Sequence, residues 1–246
     1  MILSIHTLFD VLDQTWPAAK HIPQDCWCLR LGKGGGKRVC AATLEGTFDS
    51  QLIDAAAQNM HDFGQPSLFL VRDGEHDLDA ALNSCGYEIY DPCNIYAALT
   101  EELTIQKPPR GNMFNIWEPL EIQKDIWRQG GIGAARLAVM ERAKGAKVSI
   151  LMRWDNHPAG SAFVALSNKV AMVHALEVLP YQRRKGVGIW AMRQAALWAQ
   201  DQGAHSISAI CAKQNSGANA LYSSLDMQLV GSYHYRIKKE DSNKIT

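Results

Sequence analysis

The chain has 246 residues, 47% of them apolar, and its 25 basic side chains balance its 25 acidic ones. This length allows one large domain or two of about a hundred residues each, and the lack of net charge argues against a general attraction to nucleic acid or an anionic membrane. No apolar run approaches the roughly twenty residues that span a bilayer, and the start MILSIHTLFDVLDQ lacks a signal-peptide pattern, so we expect a cytoplasmic protein.

Six scattered cysteines predict reduced thiols, because no CxxC pair or dense spacing is present. His21, Cys26 and Cys28 lie close together in the sequence and are residue types that bind metal ions. Their spacing fits no common zinc pattern. We therefore predict no metal.

The first half contains a glycine-rich stretch, LGKGGGKR, at Leu31 to Arg38. It has no Ser or Thr after a lysine, as a phosphate-binding P-loop requires, so we interpret it as a hairpin loop. The polar segment TEELTIQKPPRGN, Thr100 to Asn112, has a Pro-Pro pair and no apolar period. It is typical of a linker, and we expect two domains, residues 1–107 and 108–246.

In the second half, apolar periodicity and turn residues predict helices alternating with strands. Helices are expected at Leu120 to Arg128, Ala134 to Ala143, around Ile189 to Ala199, and Gly217 to Ser224, and a mobile loop at Gln129 to Gly133. Strands are expected near Met113 to Trp117, Lys147 to Arg153, Gly160 to Leu166, Val170 to Val178, Ser206 to Cys211 and Gln228 to Arg236. This pattern favours an α/β fold with helices covering a sheet.

An internal repeat appears when the first half is moved forward by 140 residues. Leu82 to Ala97 then aligns with Tyr222 to Ile237, and Gly46 aligns with Gly186. The same offset aligns the helix Leu52 to Met60 and the strand Ser67 to Val71 with Met192 to Gln200 and Ile207 to Cys211. Identities are few, so chance similarity of element lengths is the alternative.

The stretch YQRRKGVGIW, residues 181–190, joins a predicted strand to a predicted helix. A helix start offers free backbone N–H groups at the positive end of its dipole, which is a site for anions. Gly186 and Gly188 permit close approach to the main chain, and Arg183, Arg184 and Lys185 add positive charge. A pyrophosphate fits this description. Neither GxxxxGK[ST] nor GxGxxG is present.

With these residues the chain resembles the GNAT superfamily of acyl-coenzyme A dependent N-acyltransferases. The family's pyrophosphate loop [QR]xxGxG is met by Arg183, Gly186 and Gly188, after V-x-P at Val178 to Pro180. The family's NxxAxxLY pattern is met by Asn215, Ala218, Leu221 and Tyr222. The resemblance covers about Met113 to Arg236. It implies two GNAT-like domains, each a mixed, mostly antiparallel twisted sheet with helices on both faces.

The resemblance also implies the site. The strand ending at Val178 is expected to splay from its neighbour, so that Leu176 and Val178 offer main-chain groups to the pantetheine arm. Tyr222 resembles the family's general acid, and Asn215 is expected to bind the cofactor arm or to cap a helix. The implied cofactor-binding residues are Leu176, Val178, Gln182, Arg183, Arg184, Lys185, Gly186, Val187, Gly188 and Asn215.

The general base has two candidates, Glu177 and His174. Strict alternation along the strand puts His174 on one face with Leu176 and Val178, and Glu177 on the other. Burial would raise the pKa of Glu177 or lower that of His174 into a useful range. Either residue can instead be a satisfied buried group, and the family has no fixed base position.

The resemblance predicts an N-acetyltransferase that moves an acetyl group from acetyl-coenzyme A to a primary amine. The acceptor is expected to be a small molecule or a peptide, with no nucleic acid or membrane partner, and a homodimer is left open. The first half, with TLEGTF at Thr43 to Phe48 aligned with RRKGVG, is expected to be a degenerate, non-catalytic copy. The alternatives are a non-enzymatic acyl-coenzyme A sensor and a nucleotide phosphotransferase, which the missing GK[ST] disfavours.

Overall fold

The computed structural model describes residues 4–244. Its α-helices are α1 Ile5–Thr15, α2 Ile53–Asp62, α3 His76–Ser84, α4 Thr100–Thr104, α5 Glu121–Gln129, α6 Ala134–Arg142, α7 Val187–Asp201 and α8 Ser216–Ser224. Its strands are β1 Lys20–Gln24, β2 Trp27–Leu31, β3 Thr43–Leu44, β4 Leu68–Arg72, β5 Glu88–Leu99, β6 Met113–Ile116, β7 Lys147–Trp154, β8 His157–Ser167, β9 Val170–Val178, β10 Ser206–Ala212 and β11 Gln228–Ile237.

The chain forms two compact units that are interleaved in sequence. Within the described residues, unit I comprises 4–17, 95–211 and 215–230, and unit II comprises 18–94, 212–214 and 231–244. Unit I therefore takes its first helix and the end of β5 from the amino-terminal half. Unit II takes the end of β11 from the carboxy-terminal half.

Unit I is built on a mixed, mostly antiparallel sheet in the order β5, β10, β9, β8, β7, β6. The pairs β6–β7, β7–β8 and β8–β9 are antiparallel, and β9–β10 is parallel. Apolar side chains of β7 to β10 form a core with one face of α7. Met192, Ala196 and Ala199 are fully buried on that face, in agreement with the predicted helical period.

The segment Thr100 to Asn112 is a linker only in part, because its first five residues form helix α4. Leu103 is buried in the core of unit I, and Thr100 N–H donates to His205 O at 3.0 Å. A single buried leucine in a short polar helix gives no apolar period, so the sequence pattern could not reveal α4.

Unit II contains a three-stranded antiparallel sheet, β1-β2-β3, and β4 paired antiparallel with β11 from Tyr233↔Arg72 to Ile237↔Leu68. Its core packs aromatic rings edge to face, with Phe69 5.1 Å from Trp27 and 5.3 Å from Tyr87. The stretch LGKGGGKR forms the loop after β2 and a short 3-10 turn.

Among residues 4–244, no helix is both long enough and apolar enough to cross a membrane. All six cysteines are free thiols. In the same part of the chain, no group of three or more His, Cys, Asp or Glu side chains is arranged to hold a metal ion.

Candidate active site

The loop between β9 and α7 places a helix N-terminus beside the end of β9. A 3-10 turn at Pro180–Gln182 follows β9. Arg184 (φ 64°) and Gly186 (φ 79°) then adopt left-handed conformations. Helix α7 begins at Val187 without a side-chain cap. The first helical bond runs from Trp190 N–H to Gly186 O at 3.2 Å. The N–H groups of residues 187–189 thus precede the first helical bond, at the positive end of the dipole.

The side chains of this loop have different surroundings. Gln182 is 2% exposed, and its amide donates to Trp154 O at 3.3 Å and accepts from Lys185 at 3.1 Å. Lys185 also pairs with Asp155 at 3.0 Å. Gln182 and Lys185 therefore anchor the loop to the β7–β8 turn. Arg184 is exposed.

Arg183 is exposed and folds back on the strand that precedes the loop. Its Nε donates to Val178 O at 2.9 Å. The guanidinium is thereby held at the end of β9, close enough to Glu177 to act on its pKa. The helix start and this fixed cation together form a candidate anion-binding corner.

Strands β9 and β10 separate beyond the middle of β9. Their parallel pairing ends at Ala209↔Val173, whereas β9 stays paired with β8 through Gly160↔Val178. The main chain from Leu176 to Val178 therefore runs past the point where β10 has left the strand. This opening is the feature expected for a cofactor arm that bonds to the backbone.

A β-bulge at Ala175 corrects the assignment of faces along β9. Phe163 pairs with His174 and Ser161 pairs with Glu177, so a step of two residues along β8 matches a step of three along β9. Ala175, within the longer step, has φ 50°. Paired residues point to the same face, and Ser161 and Phe163 share a face. Glu177 therefore lies on the face of His174, and the expectation of opposite faces is wrong.

Helix α5 packs against the face of the sheet that carries His174 and Glu177, with one contact from each of three successive turns. Gln123, fully buried, donates to Ser161 Oγ at 3.2 Å, and Trp127, also fully buried, donates to Ala175 O at 2.8 Å. One turn later, a Cβ placed on Gly130 would lie 2.6 Å from Glu177 Cδ. The carboxyl group of Glu177 thus packs directly against the C-terminal end of α5.

Glu177 is half-buried, and this burial raises the pKa of its carboxyl group above the usual glutamate range. The positive charges of Arg183 and Arg136 oppose the shift without cancelling it. A carboxylate with a raised pKa is a stronger base than an exposed one. Glu177 therefore has the properties of a proton acceptor beside the anion-binding corner.

His174 lies beneath helix α1 and is 3% exposed. Its Nε2 is 2.9 Å from Thr15 Oγ1, and that hydroxyl donates to Val11 O at 2.7 Å. Because the single hydroxyl proton is used, Nε2 must carry a proton and donate to Thr15. The imidazole also stacks on Trp16 with ring centroids 4.9 Å apart.

Helix α8 meets the start of α7 and carries the second sequence pattern. A Cβ on Gly188 would lie 3.1 Å from Leu221 Cδ2, so Gly188 is where the two helices approach closely. Asn215 is the N-cap of α8 and accepts from Ala218 N–H at 3.0 Å. Tyr222 is 4% exposed in the core of unit I.

A sequence-family comparison decides what this arrangement is. Residues 106–227 match the profile of the Acetyltransferase (GNAT) family. This segment is a GNAT acetyltransferase domain. Members of this family use acetyl-coenzyme A and act on amine acceptors, and the protein is an acyltransferase. No curated protein matches the chain in sequence.

Solved structures of GNAT proteins resemble the fold of this chain over most of its length. A GCN5-related N-acetyltransferase from Kribbella flavida has a TM-score of 0.76 at 15% identity, covering 97% of each chain. Another from Sphaerobacter thermophilus has 0.59 at 10% identity, covering 86% of this chain and 75% of that one. A tandem GNAT protein from the clavulanic acid biosynthesis pathway has 0.61 at 12% identity, covering 85% and 76%. At these identities the likeness is one of fold.

Six other aromatic and basic side chains, which would be candidates for contact with an acceptor, pack or pair within their own unit. Trp127 is buried as described, Arg128 pairs with Asp125, and Trp154 is partly buried against the core of unit I. In unit II, Tyr233 and Tyr235 are buried, and His234 is 2.7 Å from Asp79. None of these contacts points to a particular acceptor.

Sequence reasoning missed Tyr96 and Gly130. The hydroxyl of Tyr96 donates to Asn219 Oδ1 at 2.9 Å, and its ring centroid is 5.2 Å from that of Tyr222. The sequence predicts a mobile loop at Gly130, but this residue has φ −83°, which any residue adopts. Its glycine is needed for space beside Glu177.

In unit II the segment aligned with the anion loop has different chemistry. Glu45 accepts from Thr43 at 2.7 Å and from Arg72 at 2.6 Å. Burial opposes its ionisation, yet these hydrogen bonds lower the pKa of Glu45. The following helical turn is capped by Asp49, whose carboxylate accepts from Gln51 N–H at 2.9 Å. At the 140-residue offset Glu45 aligns with Lys185, and Thr43 and Leu44 align with Arg183 and Arg184, so this segment lacks the basic residues of the GNAT domain.

Proposed function

We propose that the GNAT domain transfers an acetyl group from acetyl-coenzyme A to a primary amine, with Glu177 accepting a proton and Tyr222 donating one. The observation that carries the proposal is the convergence of three features. Helix α8 contacts the start of α7 through Leu221, the end of β9 is no longer paired with β10, and Arg183 of the loop between β9 and α7 lies close to Glu177.

The residues of this corner suit coenzyme A. The N–H groups at the start of α7 and the charges of Arg183 and Arg184 would hold the pyrophosphate. The main chain at Leu176 and Val178 would hold the pantetheine arm, as β9 is parted from β10 there. When bound, acetyl-coenzyme A supplies an acetyl group activated as a thioester. Gln182 and Lys185 support the loop, and Asn215 caps α8.

Glu177 is the better base of the two candidates. An alkyl ammonium has a pKa of about 10 and must lose a proton before its nitrogen can bond to the acetyl carbon. Glu177 has a raised pKa and lies beside the loop that precedes α7. His174 is buried under α1, where Nε2 donates to Thr15, and we assign it a structural role.

Tyr222 is proposed to protonate the leaving sulfur. As the new carbon–nitrogen bond forms, the carbon–sulfur bond breaks and its electron pair stays on sulfur. A phenol next to that sulfur gives its proton to the thiolate, and the first proton of the ammonium goes to Glu177 before the bond forms. The nitrogen loses its second proton as the amide forms, and that proton returns to the Tyr222 phenolate through solvent. The contact of Leu221 with Gly188 supports this role, because it brings the helix of Tyr222 to the start of α7.

The amino-terminal half is proposed to be a degenerate, non-catalytic copy, with repeats at residues 1–107 and 108–246. The acidic Glu45 and Asp49 at its counterpart loop support this, since they would repel a pyrophosphate. A cytoplasmic location is proposed from the free thiols.

The test is coenzyme A release from acetyl-coenzyme A in the presence of a panel of primary amines, for wild type and Tyr222→Phe. The expected result is turnover with at least one amine, with kcat about a hundredfold lower in the variant and acetyl-coenzyme A affinity unchanged. Coenzyme A binding without turnover on any amine would favour a sensor instead. Full activity in Tyr222→Phe would remove the general-acid role alone.

A further inference from the structure

Helix and strand elements recur in the two halves at a constant spacing. Helix α3 starts at residue 76 and α8 at residue 216, and β5 starts at 88 and β11 at 228, so both pairs are 140 residues apart. Each helix ends in the same way. Tyr87 N–H donates to Leu82 O at 3.0 Å, and Met227 N–H donates to Tyr222 O at 3.1 Å.

The ends of the two strands are exchanged between the halves. The end of β5 belongs to unit I and the end of β11 to unit II. In unit I, Tyr96 of β5 donates to Asn219 of α8. In unit II, Arg236 of β11 donates to Asp79 of α3 at 2.7 and 3.0 Å. Positions 96 and 236, and 79 and 219, again differ by 140.

Tyr96 contacts helix α8, which carries the proposed general acid Tyr222, through two residues. Its hydroxyl holds Asn219 Oδ1, and the amide of Asn219 donates to Asn215 O at 2.7 Å, which ties the first turn of α8 together. Its ring lies against the ring of Tyr222. Its own carbonyl accepts from Ser208 Oγ at 2.8 Å, which fixes Tyr96 to β10.

We infer that Tyr96, supplied by the amino-terminal half, is a positioning residue for Tyr222. The inference rests on the proposed function, since it acts through the proposed general acid. The residues at the equivalent positions in unit II are Arg236 and Leu82, so the aromatic pair of unit I has no aromatic counterpart there. The amino-terminal half therefore completes the catalytic unit through a specific side chain.

The test compares Tyr96→Phe, Tyr222→Phe and the double variant, using acetyl-coenzyme A and the primary amine that wild type acetylates fastest. Tyr96→Phe keeps the ring and loses one hydrogen bond, so we expect kcat to fall about fivefold while the KM for acetyl-coenzyme A stays unchanged. The double variant should be no slower than Tyr222→Phe, because residues that act as a unit are not additive.

The matched control is Asp79→Asn, which weakens the corresponding contact in unit II and introduces the residue found at position 219. It should lower the melting temperature and leave kcat unchanged. A wild-type kcat in Tyr96→Phe, or multiplicative losses in the double variant, would overturn the positioning role while the proposed function stands. If wild type acetylated no amine, the proposed function would fail and the positioning role with it.

Discussion

Gly130→Ala tests whether the position of Glu177 matters for the reaction. The added Cβ would lie 2.6 Å from Glu177 Cδ and 2.9 Å from both Cγ and Oε2. Ordinary contacts begin near 3.4 Å, so the carboxyl group must move by about 0.8 Å. The backbone at Gly130, with φ −83° and ψ 8°, accepts alanine without strain. The perturbation is therefore confined to the carboxyl group of Glu177.

We expect Gly130→Ala to reduce the reaction rate strongly and the stability of the fold only slightly. Overpacking costs about 1–3 kcal/mol, and replacing glycine offsets about 0.4–1 kcal/mol of this through the unfolded chain. A net loss of about 1 kcal/mol lowers the melting temperature by roughly 2–4 °C in a chain of this size. A catalytic group displaced by about 1 Å can cost up to about a hundredfold in rate.

The assay is kcat/KM against pH, together with thermal unfolding. Gly133→Ala is the matched control in the same loop. Among the described residues, no atom lies within 4 Å of a Cβ built there, and its φ is −91°. Gly130→Ala should lower kcat/KM and shift its acid limb, whereas Gly133→Ala should change neither. A wild-type rate and pH profile in Gly130→Ala would refute the assignment of Glu177 as the base.

Two further predictions concern the candidate bases. Because burial raises the folded-state pKa of Glu177, ionising its carboxyl group lowers the stability of the fold as pH rises through that pKa. Glu177→Gln should therefore raise the melting temperature at neutral pH, and this gain should disappear in acid. The variant should also abolish the acid limb of kcat/KM. His174→Gln should lower the melting temperature by several degrees through the lost Trp16 stacking and Thr15 bond, while the acid limb of the pH–rate profile stays where it is in wild type.

The conformation of the loop before α7 could be predicted from sequence because its requirements are local. Left-handed backbone at Gly186 and close helix contact at Gly188 both favour glycine, and arginine supplies fixed charge. A short pattern therefore records the geometry. The helix period of α7 was predictable for the same reason, since one face of it is buried in the core.

The bulge at Ala175 could not be predicted, because alanine does not signal a positive φ. One extra residue reverses every later side chain of the strand, which moved Glu177 to the face of α5 and α1. Tyr96 was missed for a different reason. Its partner Asn219 is 123 residues away, and only the exchange of strand ends brings the two together.

The most direct test of the account is an isothermal titration of the full chain with coenzyme A, repeated on Arg183→Glu. The account predicts one coenzyme A per chain, since the loop before α7 is basic and its counterpart in unit II is acidic. It also predicts an affinity at least about tenfold weaker in the variant, where a fixed cation beside the helix start becomes an anion. No binding, two molecules per chain, or an unchanged affinity in Arg183→Glu would contradict it.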